Sequence, residues 1–290
     1  MQEITEYAYA KLNLSLDVVS RLQSGYHELC MVMQSVSLCD DVTLSMRADD
    51  KISIKTDLYF LPNNERNIAF KAAQTFFDKT GLRHGVDIDI KKRIPVCAGM
   101  GGGSADGAAV LRALNKMNGL PLSANELEEL GASVGSDIPF CICGGTALAK
   151  GRGEKLTELP AIPQCKIIIC KPRFSVSTPE LFSRIDRFSI KLRPDTAGML
   201  ERIESRDLAG IARHMYNVFE DVLPPKPSDV AEIKRTLLNC GALGAVMTGT
   251  GSAVFGVFDD DESASAAFNQ LRAQYTSVFS VLPKERIKIG

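Results

Sequence analysis

Four glycines and a serine, Gly99, Gly101, Gly102, Gly103 and Ser104, follow the apolar run Ile94-Pro95-Val96 and lead into the small-residue stretch Ala105–Leu111. Residue types in that order can hold an anion. Glycine lets backbone N–H groups approach a ligand closely, and the first N–H groups of a helix lack internal partners. The helix dipole favours negative charge at that end by roughly 0.3–1 kcal/mol. The same residues fit a plain glycine-rich turn between strand and helix, and alone they leave both readings open. Spacing excludes three related devices. No Lys-Ser or Lys-Thr closes the glycines as a P-loop needs, and Ser104 stands where a dinucleotide fingerprint wants Gly or Ala. The next segment reads as helix, whereas a dinucleotide fold needs a second strand ending in an acid. Asp106 takes the last place of a would-be G-x-S-x-G.

Other residues with chemical potential lie apart in sequence. Lys11, Asn13 and Ser15 alternate with Leu12, Leu14 and Leu16, so one strand face carries a cation, an amide and a hydroxyl. That face suits a polar ligand or simply water. Asp137, in Ser136-Asp137-Ile138-Pro139, has the position of a helix N-cap with proline in the first turn, or of a catalytic acid. Gly249-Thr250-Gly251-Ser252 joins two apolar strands as a hairpin turn or as a second backbone-exposing loop. Asn67 precedes a helical pattern and fits an N-cap, and Tyr26 and His27 lie in a turn.

The elements that must position these residues follow from periodicity. Ala8–Val18 alternates as a half-buried strand, and Leu29–Leu38 reads as a strand paired in a hairpin with Val42–Met46. A second hairpin is expected at Lys51–Thr56. An amphipathic helix runs from Asn67 to about Lys79 with Ile68, Ala72, Phe76 and Phe77 inward, then a strand at Val86–Ile90 and the basic turn Lys91-Lys92-Arg93. A helix covers Ser104–Asn118. Ser123 and Glu126 form a capping box for another that ends at Gly135. Phe140–Leu148 and Lys155–Leu159 read as strands, and Pro160–Pro163 as a linker. Beyond it come a strand (Lys166–Pro172), helices to Asp221, a helix (Ser228–Asn239), strands (Leu243–Thr248, Ala253–Phe258), a helix (Glu262–Tyr275) and a strand (Ser277–Leu282). The expected organisation is α+β in two domains, 1–160 and 161–290.

The totals bound the class. A chain of 290 residues, 45% hydrophobic and 24% charged, can bury two cores. With 34 basic and 35 acidic residues the net charge is −1, so no basic field recruits nucleic acid or anionic lipid. Eight cysteines without a C-x-x-C pair, and no secretory leader or bilayer-spanning run, read as reduced thiols of a cytoplasmic protein. Three histidines, none paired with cysteine at metal spacing, argue against structural zinc.

Taken together and in order, Ala8–Leu14, Pro95–Ala109 and Thr248–Ala253 resemble the three motifs of the GHMP small-molecule kinases over essentially the whole chain. The resemblance implies an N-terminal ribosomal-protein-S5-domain-2-like unit and a C-terminal ferredoxin-like α/β sandwich. Gly25–Leu29, Gly135–Phe140 and Val176–Pro179 are similar to the branch that uses ATP to phosphorylate diphosphocytidyl methylerythritol in the non-mevalonate route to isoprenoid precursors. Another member acting on homoserine, mevalonate or a sugar, or a non-catalytic ligand sensor on the same fold, is the alternative.

Carried over by residue, the resemblance makes Lys11 and Asp137 the catalytic pair, with Asn13 beside them on the substrate side. Gly99, Met100, Gly101, Gly102, Gly103 and Ser104, with Pro95, become the ATP phosphate cradle, and Asn67 and Lys92 lie near its base. Tyr26, His27 and Phe182 become the cytidine pocket, the rings sandwiching the base and His27 reading its edge. Thr178, Gly249, Thr250 and Gly251 also face substrate. Mg²⁺ is implied as cofactor, Ser104 being a candidate contact and its protein ligand otherwise unknown. The expected state is a monomer or weak homodimer. Met100 and Ala105 stand where the family usually has Leu and a second Ser, and Gly107 replaces a common Ala.

Overall fold

Alternating apolar residues near the start of the chain form, in the computed structural model, a 19-residue strand, β1 (Glu3–Arg21). The structure describes residues 2–82, 85–188, 190, 192–224 and 228–289. The antiparallel partner of β1 is β2 (His27–Arg47), 21 residues long and registered from Glu3↔Ser45 to Arg21↔His27. The expected hairpin of Leu29–Leu38 with Val42–Met46 does not form, because both segments belong to this one strand. Cys39-Asp40-Asp41 resembles a turn, yet Asp40 is fully buried. Its carboxylate accepts from the backbone N–H groups of Arg93 and Ile94 at 2.5 and 2.8 Å, partners 53 and 54 residues away. A buried carboxylate needs such donors.

β3 (Ile52–Thr56), α1 (Ile68–Thr80) and β4 (Gly85–Lys91) follow. β3 pairs with β4 in parallel, so the expected second hairpin is a crossover through α1. Next come α2 (Gly102–Met117), α3 (Ala124–Val134), α4 (Ile138–Cys143), β5 (Thr146–Gly151) and β6 (Lys155–Leu159). Phe140–Cys143, expected as strand, is helical. All six residues of α4 are buried, so no polar face marks the helical period. The first sheet runs β3-β4-β2-β1, with β5 beside Leu29–Gln34 of β2 and β6 outside it. Leu12, Leu14, Met33, Leu44, Ile88 and Ile90 from this sheet and Phe76 from α1 are buried in the core. A Cβ at Gly107 would lie 3.0 Å from Ile68 Cγ2, so glycine there lets α2 approach α1 closely.

The second unit comprises β7 (Lys166–Lys171), α5 (Thr178–Ile185), α6 (Thr196–Glu204), α7 (Leu208–Arg213), β8 (Tyr216–Asn217), a 3-10 turn (Val218–Val222), α8 (Ser228–Asn239), β9 (Gly244–Met247), β10 (Val254–Phe258), α9 (Asp261–Arg272) and β11 (Ser277–Val281). Apart from β8, its strands form a four-stranded antiparallel sheet in the order β11-β7-β10-β9, the fourth, first, third and second of these along the chain, which is the ferredoxin-like arrangement. The second unit is tied to the first sheet twice. β8 pairs in parallel with Ser15 and Leu16 of β1. The outer edge of β2 between its β5-paired and β4-paired stretches is filled by the chain after β11: Ser37 N–H donates to Leu282 O at 2.9 Å, and Lys284 N–H to Ser35 O at 2.8 Å. No described helix is long and apolar enough to cross a membrane.

Candidate active site

A stretch of β1 and two loops far from it in sequence are bonded into one floor. Lys11 N–H of β1 donates to Met100 O at 3.0 Å, and Asn13 N–H donates to Thr248 Oγ1 at 3.0 Å. Thr248 Oγ1 in turn donates to Gly99 O at 3.3 Å, and Ala253 N–H to Ala98 O at 3.2 Å. Gly99 has φ +75°, and a side chain there would overlap the Thr248 carbonyl oxygen, so only glycine lets the loops touch. From behind, buried Asn217 Nδ2 donates to Met247 O at 2.7 Å and Gly249 O at 2.8 Å. Sequence reasoning missed Asn217, because one asparagine in a two-residue strand among helices carries no pattern.

Lys11 and Asp137 face each other at this floor. Lys11 is 5% exposed, and its Nζ lies 2.7 Å from Asn13 Oδ1 and 3.7 Å from Asp137 Oδ2. Its stem runs against Gly101. Asp137 occupies the N-cap position of α4 but makes no capping hydrogen bond, so its carboxylate is left for Lys11 and the cleft. Asn13, expected on the substrate side, lies directly beside Lys11. It is fully buried, does not line the cleft, and its amide is used to hold Lys11 and to donate to Met31 Sδ at 3.3 Å. The β1 register shifts between Tyr9 and Lys11 and between Asn13 and Ser15, and Lys11, Asn13 and Ser15 are all buried rather than solvated.

The glycine loop divides two chambers. The smaller, of about 350 Å³, is lined by Leu61, Pro62, Asn67, Lys92, Pro95 and the loop from Gly99 to Ser104. Asn67 caps α1, accepting from Ala69 N–H at 3.0 Å and donating to Pro62 O at 2.9 Å. Lys92 is sunk between two buried carboxyl groups, 2.5 Å from Asp40 Oδ2 and 2.6 Å from Asp106 Oδ2. Asp106 Oδ1 is sealed and unpartnered. Burial, opposed by Lys92 and reinforced by Asp40, pushes the Asp106 carboxyl up to about 8. Folded Asp106 therefore keeps a proton that the unfolded chain releases near pH ~4. Its contribution to stability is present below that pH and is lost as pH rises through about 8. Asp106→Asn should flatten the fall of Tm between pH 5 and 8, read by thermal unfolding at several pH values. An unchanged slope would assign that dependence to other groups.

The larger chamber, of about 870 Å³, holds Lys11 and Asp137 together with Tyr26, His27, Thr178, Phe182, Gly249, Thr250 and Gly251, and shares Gly99, Gly101 and Ser104 with the first. Phe182 stacks on His27 with centroids 4.7 Å apart and meets Phe219 edge-on at 5.0 Å, so His27 closes one face of Phe182. The Arg152 guanidinium lies 5.1 Å from the centre of the exposed Tyr26 ring. Thr178 and Thr250 hydroxyls are bonded at 2.9 Å across the mouth. Arg152 was not singled out in the sequence, where Gly151-Arg152-Gly153 reads only as a turn.

Comparison with known proteins fits this geometry. A family model described as GHMP kinases N terminal domain matches residues 67–145, and one described as GHMP kinases C terminal matches residues 199–277. A 4-diphosphocytidyl-2-C-methyl-D-erythritol kinase of Lachnospira eligens is 43% identical over 272 residues, 94% of each chain. The chain belongs to the GHMP kinases, in their 4-diphosphocytidyl-2-C-methyl-D-erythritol kinase branch. The crystal structure of a 4-(cytidine 5'-diphospho)-2C-methyl-D-erythritol kinase matches this GHMP kinase with a TM-score of 0.80 and 29% identity, over 97% of this chain and 100% of that one. Homoserine kinase from Cytophaga hutchinsonii matches with a TM-score of 0.79 at 18% identity, which shows a shared fold alone. The two-domain fold expected from the motifs is thus the observed one.

Proposed function

We propose that this GHMP kinase transfers the γ-phosphoryl group of ATP to the 2-hydroxyl of 4-diphosphocytidyl-2-C-methyl-D-erythritol, in the non-mevalonate route to isoprenoid precursors. The observation that carries the reading is the Lys11–Asp137 pair, 3.7 Å apart, in the larger chamber beside the glycine loop that both chambers share. ATP enters the smaller chamber with its phosphates on the N–H groups of Gly99–Ser104. The acceptor lies in the larger one, its base among Tyr26, His27 and Phe182 and its diphosphate-bearing stem passing Thr178 and Gly249–Gly251.

Asp137 orients the acceptor hydroxyl and takes its proton, and Lys11 neutralises charge that builds on the transferred group. Mg²⁺ supplies further neutralisation of the phosphate oxygens when bound. Among the described residues no group of three or more His, Cys, Asp or Glu could hold a metal ion. The residues therefore fit Mg²⁺ as an ion carried by phosphates and water, with the Ser104 hydroxyl as its protein contact. The net charge of −1 supports small-molecule partners rather than nucleic acid or membrane. A cytoplasmic location and a monomer or weak homodimer belong to the same proposal.

ADP release measured with the diphosphocytidyl acceptor, homoserine and mevalonate tests the reading. Release is expected with the first alone. Release with homoserine or mevalonate, or none with any acceptor, would overturn it.

A further inference from the structure

His27 and Asp186 are 159 residues apart in sequence, yet His27 Nε2 and Asp186 Oδ1 are 2.7 Å apart, and Arg21 lies 3.3 Å from the other carboxylate oxygen. Asp186 is the C-cap residue of α5, the helix whose Phe182 stacks on the His27 ring. One helix therefore fixes both the plane of the imidazole and one of its edges. A carboxylate can only accept, so Nε2 carries the hydrogen. The hydrogen bond from His27 holds the Asp186 carboxyl below the usual carboxylate range, which keeps it an acceptor at neutral pH. In a neutral imidazole with Nε2–H, Nδ1 is a bare acceptor. Among the described residues no group pairs with Nδ1, and it is not one of the sealed unpartnered atoms, so it stays open to a ligand in the chamber that His27 lines.

We propose that Asp186 is a positioning residue that sets base specificity: by taking the Nε2 hydrogen it makes His27 Nδ1 an acceptor, so the site favours a pyrimidine edge carrying an amino donor over one carrying a keto oxygen. This rests on the reading that the acceptor bears a cytidine nucleotide. A uracil O4 set against Nδ1 would put two acceptors together, leaving both unpaired, a loss on the order of 10–100-fold in affinity.

Asp186→Asn tests this, because an asparagine amide can offer either its carbonyl or its NH₂ to Nε2 and so lifts the constraint on the ring. Titration calorimetry of CDP and UDP is expected to give a CDP preference of roughly 10–100-fold in the wild-type protein, narrowed to about threefold or less in the variant. The Kd for ATP should stay unchanged, since ATP occupies the other chamber. ¹⁵N NMR of the imidazole should find Nε2 protonated in the wild-type protein and a mixed tautomer in the variant. Equal binding of CDP and UDP by the wild-type protein, or an unchanged ratio in Asp186→Asn, overturns the proposal, whereas a merely structural role would weaken both nucleotides alike. ADP release with the diphosphocytidyl acceptor is read separately. CDP preference without acceptor-dependent release would sink the kinase reading and leave the role of Asp186 standing.

Discussion

Asp137→Asn is expected to lower kcat by about 10²–10⁴-fold, the scale of a positioned acid–base group, with KM for ATP and for the acceptor changed by less than about threefold. The substitution keeps the volume and one acceptor oxygen but removes the charge and the ability to take a proton. Its structural cost should be small. Asp137 stands at the N-cap position of α4 yet makes no capping bond, so no helix end is opened by the change. Chemical denaturation should accordingly find stability within about 1 kcal/mol of the wild-type value, the cost being the charge partner that Lys11 loses while it keeps Asn13. Steady-state kinetics with full turnover retained would remove Asp137 from the mechanism. A loss of stability with proportionate loss of activity would instead return it to a capping role.

Lys11→Met is expected to lower kcat by about 10²–10³-fold, the scale found when a preorganised charge donor is deleted from a site of this kind. Methionine keeps the apolar stem that lies against Gly101 and so leaves the packing of the glycine loop in place. What it removes is an ammonium held by Asn13 at 2.7 Å and facing Asp137 at 3.7 Å. Because that charge is already fixed before any ligand arrives, its contribution belongs to the transition state, and kcat and kcat/KM should fall together. Unchanged kcat in the variant would sink the assignment.

What could be read from the chain depended on how local its causes were. Asn67 and the Ser123/Glu126 box announce their helices because their partners are two or three residues away, and both caps are present. Asp40 could not be read that way, since the donors that turn an apparent loop into the middle of β2 come from Lys92–Ile94. The glycine stretch could be read as a helix start suited to an anion or as a plain turn, but its second wall could not be read, since it required Thr248 to reach across from the other unit. Lys11 and Asp137 were identified through the family motifs. Neither their 3.7 Å separation nor the bond by which Asn13 holds Lys11 follows from strand alternation, because register shifts flank Lys11 and Asn13 on β1. Arg152 and Asp186 stayed silent for a simpler reason: charged residues next to glycine or at a helix end are common, and only the ring each one touches gives it meaning.

The gap in β2 at Ser35–Ser37 has a consequence for how the enzyme is born. Ser35 is registered opposite Lys11; its N–H donates to Gly145 O at 2.9 Å, but its carbonyl and the N–H of Ser37 find their partners in residues 282–284. On the ribosome, where chains fold from the N-terminal side as they emerge, this edge of the first sheet waits with an open slot until residues 282–284 have been made. A chain cut before Leu282 would carry every residue of the floor around Lys11 and still lack the segment that fills this edge of β2, so the order of the floor depends on residues made long after it.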